Sequence, residues 1–268
     1  MAMKNYFEHI QSGLPLDDIE IIDLHAHLGP CYNMHIPDNS AAAMIHNMDL
    51  CGIDKAVIST TISFDTDIVL GNNMMLEALD SFPGRLYGAC SVNGNYPELS
   101  LTELERLFKR PEVVMIKVHP YETKCKIDDP RMERIYDFAS ARRLFVLVHT
   151  WLDNDPYGNQ DMFASVVKAY PQINWIMGHS GGPYGSVHAV EIAKKVPNVF
   201  LDTTLSMCPV QQIEYFVKEI GSERIIFGTD NPYLNPKIQV GRIALANITQ
   251  KDRINIFSAN AKRYINFA

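Results

Sequence analysis

Eight short apolar runs punctuate the chain, at residues 19–28, 53–60, 85–93, 113–119, 144–150, 174–179, 198–203 and 224–229, most of them rich in β-branched side chains. Several are close to continuous in hydrophobicity, the stretch 144–148 (LFVLV) most clearly. Strands covered on both faces read this way, because neither side has to meet water. The runs start 24 to 34 residues apart, which leaves room in each repeat for a strand, a helix and two loops.

The stretches between them carry helical signals. Ser40 precedes a periodic set (Met44, Ile45, Met48) that stops near Gly52, giving a cap and a terminator. Asp129 and Pro130 open another helix, with Met132, Ile135, Tyr136 and Phe138 as its apolar face. Further helices are expected over 67–81, 101–109, 161–170, 186–196, 210–220 and 237–246, and Thr249 with Asp252 forms a variant capping box. Strand–helix alternation repeated eight times in 268 residues predicts one domain, a single (β/α)₈ TIM barrel. The rival is an open doubly wound sheet, but no GxGxxG follows a strand, and Gly181-Gly182 alone does not make a dinucleotide loop.

Composition narrows the function classes. Hydrophobic residues at 47% and charged residues at 21% suit a globular chain, and a net charge of −7 argues against nucleic acid, which needs clustered cations. Residues 1–10 lack the apolar stretch of a signal peptide, and no run approaches the roughly 20 residues that span a bilayer. The five cysteines are scattered, odd in number and without a CxxC pair, which predicts free thiols in a reducing cytoplasm.

The candidate chemistry lies in where the histidines fall. Of nine, His25, His27, His119, His149 and His179 sit at or near the C-terminal end of an expected strand, and Asp230 follows the eighth. That rim is where barrel active sites are built. His25 and His27 are two apart, so the strand period puts both imidazoles on one side. With His149, His179 and Asp230 they make a set suited to a divalent cation, Zn²⁺ first and Mn²⁺, Co²⁺ or Fe²⁺ after it. Lys117 and His119 share strand parity and are candidates for substrate contact, although Lys117 could instead pair with a carboxylate such as Asp23. Trp151 either stacks on a planar small-molecule substrate or anchors a loop in the barrel mouth. Tyr121, Asp153, Tyr184 and Tyr233 fall in rim loops, whereas His9, His35, His46 and His188 read as surface or packing residues.

The motifs DLHAHLG, VLVHT, IMGHSGG and FGTDNPY, in that order, resemble the signatures of the amidohydrolase superfamily. IKVHP and the tail SANAKRYINF are similar to its amidohydrolase-2 branch, related to aminocarboxymuconate semialdehyde decarboxylase, and the likeness runs from about Ile21 to Phe267. The resemblance implies a distorted barrel holding one divalent ion, usually zinc. His25, His27, His149 and Asp230 would be its ligands and His179 the group that holds or deprotonates a bound water. Asp230 would also carry a proton to the leaving group, and a homodimer is implied.

Two reactions share such a site: hydrolysis of an amide, ester or lactone, and decarboxylation of an aromatic or muconate-like acid. Two features favour hydrolysis. About 25 residues separate His27 from the second strand, short for decarboxylases of the branch, and the rim loops carry Lys124 and Lys126 but no arginine to fork a carboxylate. Hydratase or other lyase chemistry and a barrel that only binds its ligand are the remaining readings, the last disfavoured by the intact polar set.

Overall fold

In the computed structural model, which describes residues 6–31 and 34–267, the apolar runs form eight parallel strands hydrogen-bonded in chain order. They are β1 (Ile22–Leu28), β2 (Lys55–Thr60), β3 (Leu86–Val92), β4 (Val113–Val118), β5 (Phe145–His149), β6 (Asn174–Gly178), β7 (Val199–Asp202) and β8 (Ile225–Ile226). Residues 1–5, the first half of the stretch read as lacking a signal segment, lie outside the described residues. The two ends of the sheet meet. Leu24 N–H donates to Phe227 O (3.0 Å), Asp230 N–H to His25 O (2.8 Å) and His27 N–H to Asn231 O (2.8 Å). These bonds tie β1 to the segment after β8 and close the sheet into a TIM barrel, so the open-sheet rival falls away.

The eighth strand is shorter than the expected 224–229. A Cβ on Gly228 would stand 2.2 Å from Thr204 Oγ1, 2.6 Å from Asp202 Oδ1 and 2.7 Å from His25 Cβ. The backbone threads between β7 and β1 too closely for a side chain, and it bonds β1 irregularly instead of as a ladder.

The caps read from the sequence are formed: Ser40 accepts from Ala43 N–H, and Thr249 and Asp252 make both bonds of a capping box. The helix expected at 101–109 spans Pro97–Leu107, with proline at its first turn, and the one at 210–220 begins at Gln212 because Gln211 adopts a left-handed φ of 60°. Asp129 caps a 3₁₀ turn (Pro130–Met132) that leads into the helix Glu133–Arg142. Among the described residues no helix is long and apolar enough to cross a membrane.

Two apolar layers result. The larger lies between the sheet and the helices. The smaller fills the barrel with Ile22, Leu24, Val57, Met115, Phe145 and Phe200. Its floor is sealed by the C-terminal segment, where Tyr264 meets Phe145 and Phe200 and Phe267 meets Tyr87.

Candidate metal centre

Along five strands the inward-facing side chains change chemistry within one strand period. Val57 gives way to Ser59, Ala89 to Ser91, Met115 to Lys117, Leu147 to His149 and Phe200 to Asp202, the first of each pair belonging to the barrel's apolar filling. Residues two apart share a face, so the second of each pair points into the same interior, nearer the C-terminal rim.

Strand β1 arrives there by a different route. Ile22 and Leu24 lie in the interior filling, but Ala26 and Leu28 pack outside, against the helices. The register with β2 slips between Asp23 and Ala26. Strict alternation from Leu24 would have turned Ala26 and Leu28 inward and both histidines outward; the bulge reverses that parity. The inward orientation of His25 and His27, both buried, therefore depends on a bulge and not on alternation alone.

One ligand atom from each of His25, His179 and Asp230 lies within 4.8 Å of the others. His25 Nε2 is 3.5 Å from Asp230 Oδ1, and His27 Nε2 is 3.2 Å from the same oxygen. His149 stands one step behind, its Nδ1 3.1 Å from His179 Nε2 and its ring stacked on His119 at 3.9 Å. The structure thus gathers His25, His179 and Asp230 round one point, sets His27 against Asp230, and places His149 and His119 beside them. His179 and Asp230 both sit at φ 61°, a left-handed conformation sparsely used by residues with side chains, which aims each of them from a sharp turn.

Lys117 is fully buried with Nζ 2.8 Å from His25 Nε2. It does not pair with Asp23, the alternative raised above. That carboxylate is taken up by Thr229, through N–H and Oγ1, and by His25 N–H. The sequence reading missed Asp202, whose Oδ2 accepts from His25 Nδ1 (2.7 Å) and His179 N–H (2.9 Å), and Ser59, whose Oγ is 3.1 Å from His27 Nδ1. Both occupy the last inward position of a strand. That position, scanned strand by strand, would have found them.

The dry floor shapes the electrostatics. Burial, with Lys117 adding to it, holds His25 well below the ordinary imidazole range, and burial does the same to His119 and His149. Burial lowers the Lys117 amine to about 8, against the pull of Asp230 and Asp202, and raises Asp23 to about 8 despite its bonds from Thr229 and His25. For Asp230 burial works upward too, but the hydrogen bond from His27 and the surrounding imidazoles outweigh it and hold the carboxyl far below the carboxylate range. Neutral imidazoles beside an ionised carboxylate are the forms that bind a cation.

Aromatic rings wall the mouth. Tyr233 stacks on His27 at 5.1 Å, Phe64 lies 5.1 Å from His119, and Trp151 meets His179 edge-on at 5.1 Å. Gly182, at φ 74°, allows the last contact: a Cβ there would sit 1.9 Å from Trp151 O. Other rim residues are elsewhere engaged. Lys124 lies over the Tyr121 ring at 3.6 Å, Asp153 accepts from Gln160, and Tyr184 projects into solvent.

The model of a family described as amidohydrolase matches residues 22–267. No curated protein matches the chain by sequence. Among solved structures, 5-carboxyvanillate decarboxylase from Novosphingobium aromaticivorans, complexed with manganese and 4-hydroxy-3-methoxy-5-nitrobenzoic acid, is similar with a TM-score of 0.73 at 15% identity, covering 92% of this chain and 96% of its own. For 2,6-dihydroxybenzoate decarboxylase from Rhizobium the values are 0.71 and 17%, over 92% and 98%. For 4-oxalomesaconate hydratase from Rhodopseudomonas palustris they are 0.70 and 18%, over 91% and 95%. Identities this low speak to a shared fold.

Proposed function

The chain belongs to the amidohydrolase family, and on that premise we propose that it is a metal-dependent decarboxylase of a planar aromatic or muconate-like acid. The observation that carries this reading is the pairing of a polar cluster fit for a cation with a mouth of flat rings directly above it. Phe64, His119, Trp151 and Tyr233 come from four different strand ends, and such walls favour a flat, conjugated substrate over an extended amide. Two of the similar solved structures are named as decarboxylases of aromatic acids, and a third as a hydratase. That leaning runs against the hydrolysis favoured by the short connection after β1 and the lack of a rim arginine. The cation that an anionic substrate needs is offered from another quarter: Lys117, near the C-terminal end of β4 beside His25.

The donor set fits a divalent ion. His25 Nε2 already faces the positive charge of Lys117, and the Asp230 carboxylate is held ionised among imidazoles. His25, His179 and Asp230 would hold the ion, with His27 adjoining through Nε2. Bound there, a divalent cation supplies Lewis acidity toward an oxygen of the substrate.

The protein's own residues do the rest. Decarboxylation breaks the bond from carbon to the carboxylate, leaves the electron pair on that carbon and requires a proton in its place. Asp230 rests ionised, so it acts as a relay that takes up a solvent proton and passes it to the carbon. The hydrogen-bonded pair His179–His149 is placed to hand the next proton inward. Ring walls orient the acid and keep water from competing for the carbanion.

The test is carbon dioxide release from hydroxybenzoates, methoxyhydroxybenzoates and muconates by protein loaded with Mn²⁺ or Zn²⁺. Release that is abolished in Asp230→Asn is the expected result. No release, together with hydrolysis of lactones or esters, would return the site to the hydrolytic reading.

A further inference from the structure

We propose that Asp202 is a positioning residue that fixes His25 in a single tautomer and the turn after β6 in a single conformation, and through both sets the affinity of the site for its ion. The last clause rests on the metal-dependent reading above. The first two stand on contacts alone.

An ionised carboxylate only accepts hydrogen bonds, and an ammonium only donates them. His25 stands between one of each. Asp202 Oδ2 lies 2.7 Å from Nδ1, and Lys117 Nζ lies 2.8 Å from Nε2. The proton of the neutral ring therefore resides on Nδ1, and Nε2 presents its lone pair to the interior. His27 is held differently. Its Nδ1 faces the Ser59 hydroxyl, which donates or accepts equally well, so nothing on that side forces a tautomer. Of the two β1 histidines, only His25 is set by a carboxylate at Nδ1; His27 is set instead by Asp230 at its Nε2.

The same carboxylate grips the opposite wall. Oδ2 also accepts from His179 N–H at 2.9 Å, Oδ1 takes Thr204 N–H at 3.0 Å, and the Asp202 carbonyl takes Ser180 Oγ at 2.6 Å. His179 and Ser180 sit at φ 61° and 46°, a left-handed pair that is costly for residues with a Cβ. One residue of β7 thus braces an imidazole from β1 and the strained turn that presents an imidazole from β6. An asparagine has the same shape but one acceptor oxygen in place of two. It cannot serve His25, His179 and Thr204 together, and its amide hydrogens would favour a proton on His25 Nε2, facing the ion.

The experiment compares wild type, Asp202→Asn and Ser59→Ala. Affinity for Mn²⁺ and Zn²⁺ is measured by competition with a chromogenic chelator, and folding is checked by circular dichroism. Asp202→Asn is expected to weaken binding about 10- to 100-fold, as loss of a partner behind a ligating histidine does, and Ser59→Ala to change it far less. Equal affinity in Asp202→Asn and wild type overturns the proposal. A wild type that binds neither ion sinks the metal-dependent reading instead. Imidazole ¹⁵N spectra of the wild-type chain, with His25 assigned by its loss in His25→Ala, supply an arm that needs neither the ion nor a stable Asp202 variant. A protonated Nδ1 on His25 is expected, and a protonated Nε2 overturns the proposal.

Discussion

At the N-terminal ends of the strands, Phe145 and Phe200 each meet the Tyr264 ring at 5.3 Å, and Tyr87 meets Phe267 at 4.8 Å. A strand period or two higher on β5 and β7, the same interior holds His149 and Asp202, and around them Lys117, His25, His179 and Asp230. The two halves share strands, twist and alternation, yet they cohere by different forces. The lower half is held by contacts that have area but little direction, so what it needs is volume. The upper half buries groups that each require a partner at a defined angle, and a missing partner there is felt at once. The halves also depend on each other. The dry floor is what keeps the imidazoles neutral and the charges strong, and the polar cluster is placed only because the packed strands below set its spacing.

The sharpest way to separate the two is to disable the upper half chemically. Asp230→Asn should lower kcat by about 10²- to 10⁴-fold in the carbon dioxide assay. A variant that retains wild-type turnover would take Asp230 out of the chemistry. The converse cut is below. Phe145→Ala removes a buried ring that packs on Phe200 and Tyr264 and should destabilise the fold by about 3–5 kcal/mol. Denaturant unfolding would register that loss, while the folded fraction keeps its affinity for the ion. Affinity falling in step with stability would show that the halves are not separable.

A ligand effect comes next in size. Mn²⁺ or Zn²⁺ at about a hundred times its Kd should add about 2.7 kcal/mol of stability, visible as a rise in Tm, and His25→Ala should lose most of it. An unchanged increment in that variant would locate the ion elsewhere. The smallest effect is expected at an exposed surface ion pair away from the cluster. Arg131 pairs with Asp129 at 2.8 Å and draws its carboxyl down to about 2, against about 3.9 for a free side chain. A folded-state value below the unfolded one stabilises at pH above about 4, and the contribution fades as pH falls toward 2. Asp129→Asn keeps the cap but removes the charge, so its acid-unfolding curve should be slightly flatter over that window. A large change in stability at neutral pH would contradict a solvent-screened pair.

Much of this division was written locally. The apolar runs gave the strands, since continuous hydrophobicity needs two covered faces, and the caps at Ser40 and Thr249 gave helix starts through bonds spanning three residues. The rim histidines were legible because strand ends and histidines coincide in the sequence. Asp202 was not. Its role consists of bonds to His25, 177 positions away, and to His179, and nothing in the run VFLDTT announces either partner. Lys117 was legible as inward-facing but not as the neighbour of His25, because strands 1 and 4 meet only across the barrel axis.

By itself, then, the sequence determined the repeat of strand and helix, the apolar filling and the edge at which polar groups collect, because each follows from periodicity within a few residues. Only the tertiary structure decided that a bulge turns His25 and His27 inward, that the segment after β8 passes so close that only Gly228 fits, and which imidazole meets which carboxylate. Those outcomes depend on how eight strands tilt and stagger on closing into a barrel, a relation among distant segments that no local pattern encodes.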